Sequence, residues 1–343
     1  MTGSASISTF PAFTLTAVAV TTILSFLLTG LATWYARRRG MLDHPGERHS
    51  HTVATPRGGG AGLIGALLLA SVFINAAVPG GFWMLAIVPG VVVLALTGWW
   101  DDHASLGARS RFFIQLAVTC WLLWCAFQAG WAGGAVVVVL GVFSVVWMTN
   151  LYNFMDGSNG MAGLQGLFVS LLLAFLFYSS GDSLYALNAL LLAGCCAGFL
   201  PWNLGRARVF MGDVGSLALG FAFAALLLYG IGTGAFSPAV AWLVMLLFLT
   251  DSTLTLLSRV LRGERWYNAH RQHLYQRLIA NGWTHGRVAM FYQAINVTLV
   301  LPGILLAVRL PEMAWAISLA LTLVFLVGWY LLIRRYGLPA QAG

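Results

Sequence analysis

The chain has 343 residues, enough for two soluble domains, but 59% of them are hydrophobic, only 18 basic and 10 acidic side chains are present, and the mean hydropathy is +0.84. That composition excludes a soluble enzyme, a disordered tail and a disulfide scaffold, and it identifies an integral membrane protein. All 18 basic residues are arginine, so the isoelectric point of about 9.7 reads as membrane topology rather than as nucleic-acid binding.

A bilayer core takes ~20 apolar residues per helix. Runs of that kind lie near 13–35, 59–78, 82–100, 112–130, 134–152, 161–178, 184–201, 215–232, 238–258, 288–308 and 313–333. They predict an all-α, polytopic membrane protein with about eleven transmembrane helices, forming a single domain over 1–343. The first run has no basic leader and is followed by Arg37-Arg38-Arg39, which predicts an anchor with the N-terminus outside rather than a signal peptide. Assigning loops to alternate sides puts seventeen arginines on one side and Arg309 alone on the other. The arginine-rich side is the predicted cytoplasmic face, and an odd number of spans places the C-terminus there too.

All seven histidines fall on that face, as do Asp43, Glu47, Asp101, Asp102, Asp156, Asp213 and Glu264. Asp182 and Glu312 fall outside, and Asp251 sits within the ninth run. Chemistry is therefore expected in cytoplasmic loops of about 36–58, 101–111, 153–160, 202–214 and 259–287. The four cysteines, Cys120, Cys125, Cys195 and Cys196, lie in apolar runs without metal-type spacing and read as packing or lipid-facing residues.

The first loop carries His49-Ser50-His51 and then Pro56-Arg57-Gly58-Gly59-Gly60. The triple glycine suits either a phosphate cradle or close helix packing. The third run ends in Asp101-Asp102, two adjacent carboxylates that repel unless a cation or proton relieves them. They invite Mg²⁺ binding or general-base work, and the alternative is a solvated helix end. The loop at 150–160 sets Asn150, Asn153 and Asp156 three apart, which on a helix share a face, and follows them with Gly157 and Gly160. Buried amides in an apolar run need partners; a glycine helix cap accounts for the glycines but not for the polar stripe.

The loop before the eighth run contains Asn203, Arg206, Arg208, Phe210 and Asp213. Asp213 lies just ahead of a helix N-terminus, where an acid caps the helix and also suits a cation or phosphate site. The longest loop holds His270-Arg271-Gln272-His273 among six arginines, a composition suited to phosphate groups. The same stretch also reads as an interfacial amphipathic helix anchored by Leu274 and Leu278.

Together, from Asp43-His44-Pro45 to Leu278, these motifs resemble the polyprenyl-phosphate N-acetylhexosamine-1-phosphate transferases, glycosyltransferase family 4, which include the phospho-N-acetylmuramoyl-pentapeptide transferases and the enzymes that initiate O-antigen and related polymers. The resemblance implies transfer of sugar-1-phosphate from a UDP-N-acetylhexosamine to undecaprenyl phosphate with release of UMP. It further implies a bacterial inner-membrane enzyme with a cytoplasmic site, Mg²⁺ with Mn²⁺ as the alternative cofactor, no nucleic-acid partner, and a homodimer in some relatives. By position, Asp213 would hold Mg²⁺ with Asn153, and Asp101 would keep the lipid phosphate ionised with Asp102 beside it. Phe210 would stack on uracil, Asn150, Asp156 and Asn203 would bind nucleotide or order the metal shell, and His270 and His273 would contact phosphate.

Two departures stand out. Many members have a second Asp where this chain has Asn159, and the Lys that often precedes the Pro-x-x-Gly-Gly turn is replaced by His49, His51 or Arg57. The His270-x-x-His273-Leu-Tyr order, in place of three consecutive histidines, favours an O-antigen or capsule type. A competing class is a cation- or proton-coupled transporter, because an intramembrane carboxylate such as Asp251 commonly marks an ion pathway.

Overall fold

A computed structural model describes residues 9–43, 54–77, 81–131, 133–264 and 271–337. His44, Pro45, His49, His51 and His270 lie outside the described residues. The long helices are α1 (Thr9–Arg38), α2 (Gly60–Ala77), α3 (Val88–Ala104), α4 (Ala108–Gln128), α5 (Ala135–Phe154), α6 (Met161–Ser179), α7 (Ser183–Asn203) and α8 (Asp213–Gly232). They continue with α9 (Pro238–Val244), α10 (Leu246–Leu261), the short α11 (Leu274–Ala280), α12 (His285–Ile295), α13 (Leu301–Arg309) and α14 (Ala314–Arg335). A π-helical turn, Trp83–Ile87, leads into α3, and a second, Asn296–Val300, joins α12 to α13 in one span.

Among the described residues nine helices are long and apolar enough to cross a membrane, or ten when α9 and α10 count as one span. The expected eleven runs are all helical, but one departs from a simple crossing. The ninth run, expected as one helix over 238–258, breaks at Met245 and bends by 78°.

The bend has a consequence for Asp251, which is buried on α10. Its Oδ1 accepts from the Leu274 backbone N–H (2.8 Å), Trp329 Nε1 (3.0 Å) and Thr255 Oγ1 (3.4 Å), and its Oδ2 accepts from Tyr292 OH (2.7 Å). One carboxylate thus ties α10 to α11, α12 and α14. An intramembrane charge of this kind is stabilised by its donors and needs no ion pathway to account for it. Asp251→Ala leaves buried donors unpaired and is expected to cost about 3–5 kcal/mol. Asp251→Asn, which keeps one acceptor oxygen, loses less. Thermal unfolding in detergent checks this, and equal melting temperatures for Asp251→Ala and wild type would sink it.

The most buried span is α8. It packs against α2, α3, α5 and α6, while α1 packs on α2 and α7. Small residues permit this: a Cβ on Gly60 would lie 2.5 Å from the Cα of Gly215, so α2 and α8 touch backbone to backbone. Leu15, Ile23 and Leu27 of α1 and Leu319, Leu323 and Leu331 of α14 are exposed, the pattern of a lipid-facing surface. All four cysteines are free, Cys120 exposed and the other three buried.

Connecting segments at one end of the bundle are stitched together by backbone. A two-residue antiparallel pair, β1 (Leu42–Asp43) with β2 (Thr55–Pro56), closes the loop after α1. The Phe210 N–H then donates to the Pro56 carbonyl (2.8 Å), Gly59 N–H to the Phe210 carbonyl (2.9 Å) and Gly60 N–H to the Met211 carbonyl (2.8 Å). Two of the three glycine amides are therefore engaged in holding the α2 and α8 entry segments together, which favours the packing role of that triplet over a phosphate cradle.

Candidate active site

At the end of α3 two neighbouring carboxylates point in different directions, because successive helical residues are about 100° apart. Asp101 accepts from the backbone N–H of Leu106 and from Arg111 Nη1, the latter at 2.9 Å. The same Arg111 nitrogen lies 3.2 Å from Asp213 Oδ2, so a guanidinium from the first turn of α4 bridges the acids of α3 and α8. Asp102 faces the other way and is buried. Its Oδ1 accepts from the Asp213 N–H (3.3 Å) and its Oδ2 from the Val214 N–H (3.4 Å). Asp102 therefore caps the first turn of α8 from another helix, where the helix dipole favours an anion, with Arg57 as an attractive counter-charge.

Gly212, just before α8, has φ 73° and ψ 171°, a region that only glycine occupies readily. A Cβ there would lie 2.6 Å from Asp102 Oδ2. The Gly212-Asp213 sequence thus sets the acid at the helix start and leaves room for the capping carboxylate. Asp213 Oδ1 accepts from Asn153 Nδ2 at 2.9 Å, and that amide also donates to Ser216 Oγ at 2.9 Å. As placed, Asn153 presents its N–H rather than its oxygen to Asp213.

Asp156 lies two residues beyond α5, in the turn that leads to α6. Burial, together with the Asp213 and Asp102 carboxylates, holds its carboxyl well above the usual carboxylate range. This excess of negative charge is what a divalent cation would relieve, and the donors are the hard oxygens that Mg²⁺ prefers. No three His, Cys, Asp or Glu side chains among the described residues form a ready-made metal cage. That suits an ion held by one or two carboxylates together with substrate phosphates and water.

The remaining sequence candidates occupy varied places. Asn150 forms a reciprocal amide pair with buried Gln115 of α4, at 2.6 and 3.3 Å. Asn203, also buried, accepts from the Gly160 N–H (2.7 Å) and donates to the Val209 carbonyl (2.9 Å), joining two of the arginine-side loops. Both side chains are thus occupied in holding helices and loops. Phe210 is half-buried in the strip paired with Pro56 and Gly59. His273, expected to contact phosphate, is 2% exposed and is stacked beside Phe154 and Tyr275.

Arg111, Gln115 and His285 belong to the assembly although sequence reading did not single them out. Arg111 had one signal, an arginine ten residues after Asp101 at the start of the next run, but nothing distinguished it from Arg109.

The pattern described as glycosyl transferase family 4 matches residues 84–231, which contain Asp101, Asp102, Asn153, Asp156 and Asp213. The chain is similar to the decaprenyl-phosphate N-acetylglucosaminephosphotransferase of Mycobacterium tuberculosis, 31% identical over 311 residues covering 78% of this chain and 76% of the relative. It is 28% identical to the probable undecaprenyl-phosphate N-acetylglucosaminyl 1-phosphate transferase of Bacillus subtilis, covering 78% and 77%. It is 32% identical to the phospho-N-acetylmuramoyl-pentapeptide-transferase of a Synechococcus species over 232 residues, covering 60% and 64%.

Proposed function

The chain belongs to glycosyl transferase family 4, and we propose that it transfers N-acetylhexosamine-1-phosphate from a UDP-sugar to undecaprenyl phosphate, releasing UMP. The observation that carries this reading is the meeting of Asp101, Asp213, Asn153 and Arg111 from four helices at one end of the bundle. Its supports also include the names of the relatives, which act on polyprenyl phosphates.

In the reaction an oxygen of the lipid phosphate forms a bond to the sugar-bearing phosphorus. The bond from that phosphorus to the UMP oxygen breaks, and UMP leaves with that oxygen. Both reactants are anions, so the site must lower their repulsion and hold them in line. Arg111 supplies a fixed positive charge between the two carboxylates, and the α8 N-terminus adds a favourable dipole. Asp213, with Asn153 at its side, would hold Mg²⁺, which when bound offsets the charge of the phosphates and of departing UMP. Asp101 keeps the acceptor phosphate ionised. That contribution is small near neutral pH, because a phosphate monoester has its second pKa at about 6. The apolar flank of the bundle takes the polyprenyl tail.

On this reading the protein is a bacterial inner-membrane enzyme working at its cytoplasmic face, and it starts an O-antigen or other cell-envelope polysaccharide. The donor is a UDP-linked N-acetylglucosamine or a 6-deoxy N-acetylhexosamine. Purified protein with Mg²⁺, undecaprenyl phosphate and a panel of UDP-N-acetylhexosamines is expected to release UMP, with one donor preferred. No UMP from any donor would overturn the assignment.

A further inference from the structure

The segment Asp156-Gly157-Ser158-Asn159-Gly160 is held from three directions. Tyr275 of α11 donates its hydroxyl to the Phe154 carbonyl at 2.9 Å, and a Cβ on Gly157 would lie 2.1 Å from that hydroxyl. Asn203 of α7 accepts from the Gly160 N–H. On the third side His285, the first residue of α12, points Nδ1 at Ser158 Oγ (3.0 Å) and at the backbone N–H of Asn159 (3.4 Å). The Asn159 side chain crosses to the α7–α8 connection, where Nδ2 donates to the Gly205 carbonyl at 2.9 Å.

The hydrogen-bond chemistry fixes the roles. A backbone N–H can only donate, so the His285 nitrogen that meets Asn159 is the unprotonated one, and the Ser158 hydroxyl donates to it as well. At position 159 the atom facing the Gly205 carbonyl must be a donor. A carboxylate in the same rotamer would set two acceptors against each other. Asp156 begins this segment. Its position therefore depends on the backbone that carries it.

We propose that His285 and Asn159 form a two-point latch that sets the Asp156 segment in place beside Asp213, with His285 a positioning residue acting through its Nδ1 acceptor and Asn159 a loop tie rather than a substrate contact. The inference rests on the transferase reading of this site.

Four full-length variants test it: His285→Ala, His285→Asn, His285→Gln and Asn159→Asp. Each is measured by UMP release and by hydrogen–deuterium exchange of the peptide covering 155–161, with thermal melting as the check on folding. His285→Ala is expected to lower kcat/KM at least about tenfold, because displaced groups lose in-line geometry steeply, and to speed exchange at Asn159 and Gly160. His285→Asn places an acceptor oxygen at the δ position and is expected to return activity to within about threefold of wild type. His285→Gln carries its acceptor one bond further out and does not rescue. Asn159→Asp, which sets a carboxylate against the Gly205 carbonyl, lowers turnover and speeds exchange.

Wild-type turnover and exchange in His285→Ala overturn the latch, as does rescue by His285→Gln equal to that by His285→Asn. If the wild-type protein releases no UMP, the enzyme reading fails, whereas the exchange data on the same variants still decide whether the latch exists.

Discussion

Asp213→Asn is expected to reduce UMP release by at least about a thousandfold, close to 4 kcal/mol at about 1.4 kcal/mol per decade, while the protein still folds. Asp213 holds three relations at once, two through its carboxylate and one through its backbone. Oδ2 faces Arg111 at 3.2 Å, Oδ1 receives the Asn153 amide at 2.9 Å, and the residue's own N–H is capped by Asp102. An asparagine can keep the contact to Asn153 through its oxygen and leaves the backbone cap untouched, so the start of α8 survives. What it removes is the negative charge, the one property that a hard cation requires, and it leaves Arg111 paired with Asp101 alone. Melting temperature should stay near that of wild type while turnover collapses. Asp101→Asn should cost less, because the acceptor phosphate is already largely ionised near neutral pH. Residual activity above about a tenth of wild type in Asp213→Asn would remove it as the principal metal ligand, since losing such a ligand costs several kcal/mol.

Most helix positions could be read from the chain because membrane spans declare themselves by unbroken apolar runs, and isolated charges between them are conspicuous. The break at Met245 could not be read, since the residues on both sides of it, from Pro238 to Leu249, run on without a polar residue. The amides illustrate the same division. Asn150 in an apolar run announces that a partner exists, but that partner, Gln115, lies 35 residues away, and Asn203 likewise meets the Gly160 backbone from 43 residues away. Asp101 and Asp102 look equivalent in sequence. A single step along α3 sends one to Arg111 and the other under the N-terminus of α8. The arginines around His273 point to phosphate, yet only the fold shows that the residue before α11 is buried against Phe154 and Tyr275.

Gly98→Ala should be nearly as damaging as loss of a ligand, although it adds one methyl group and touches no charged atom. A Cβ on Gly98 would lie 2.2 Å from the backbone C and O of Asp213 and 2.4 Å from the Val214 N. These are main-chain atoms of a helix start and cannot rotate aside, so α3 and α8 must separate by about 1 Å to reach ordinary contact. The separation falls where Asp102 caps Asp213 and Val214, at 3.3 and 3.4 Å, and where Arg111 meets Asp213 at 3.2 Å. All three contacts are already long, and an added ångström breaks them. Overpacking of this type costs about 1–3 kcal/mol, and an ångström of misplacement in a site that works by alignment costs on the order of a hundredfold in rate. Gly65→Ala on α2 serves as the control, because its Cβ would meet only the Leu28 side chain at 3.5 Å, an ordinary contact. In a helix that change is expected to be neutral or to stabilise by up to about 1 kcal/mol. Turnover and melting temperature of the two variants, measured side by side, separate the effect of the α3–α8 contact from that of any glycine replacement. Wild-type turnover in Gly98→Ala would mean that Asp213 is positioned by something other than the close approach of these two helices.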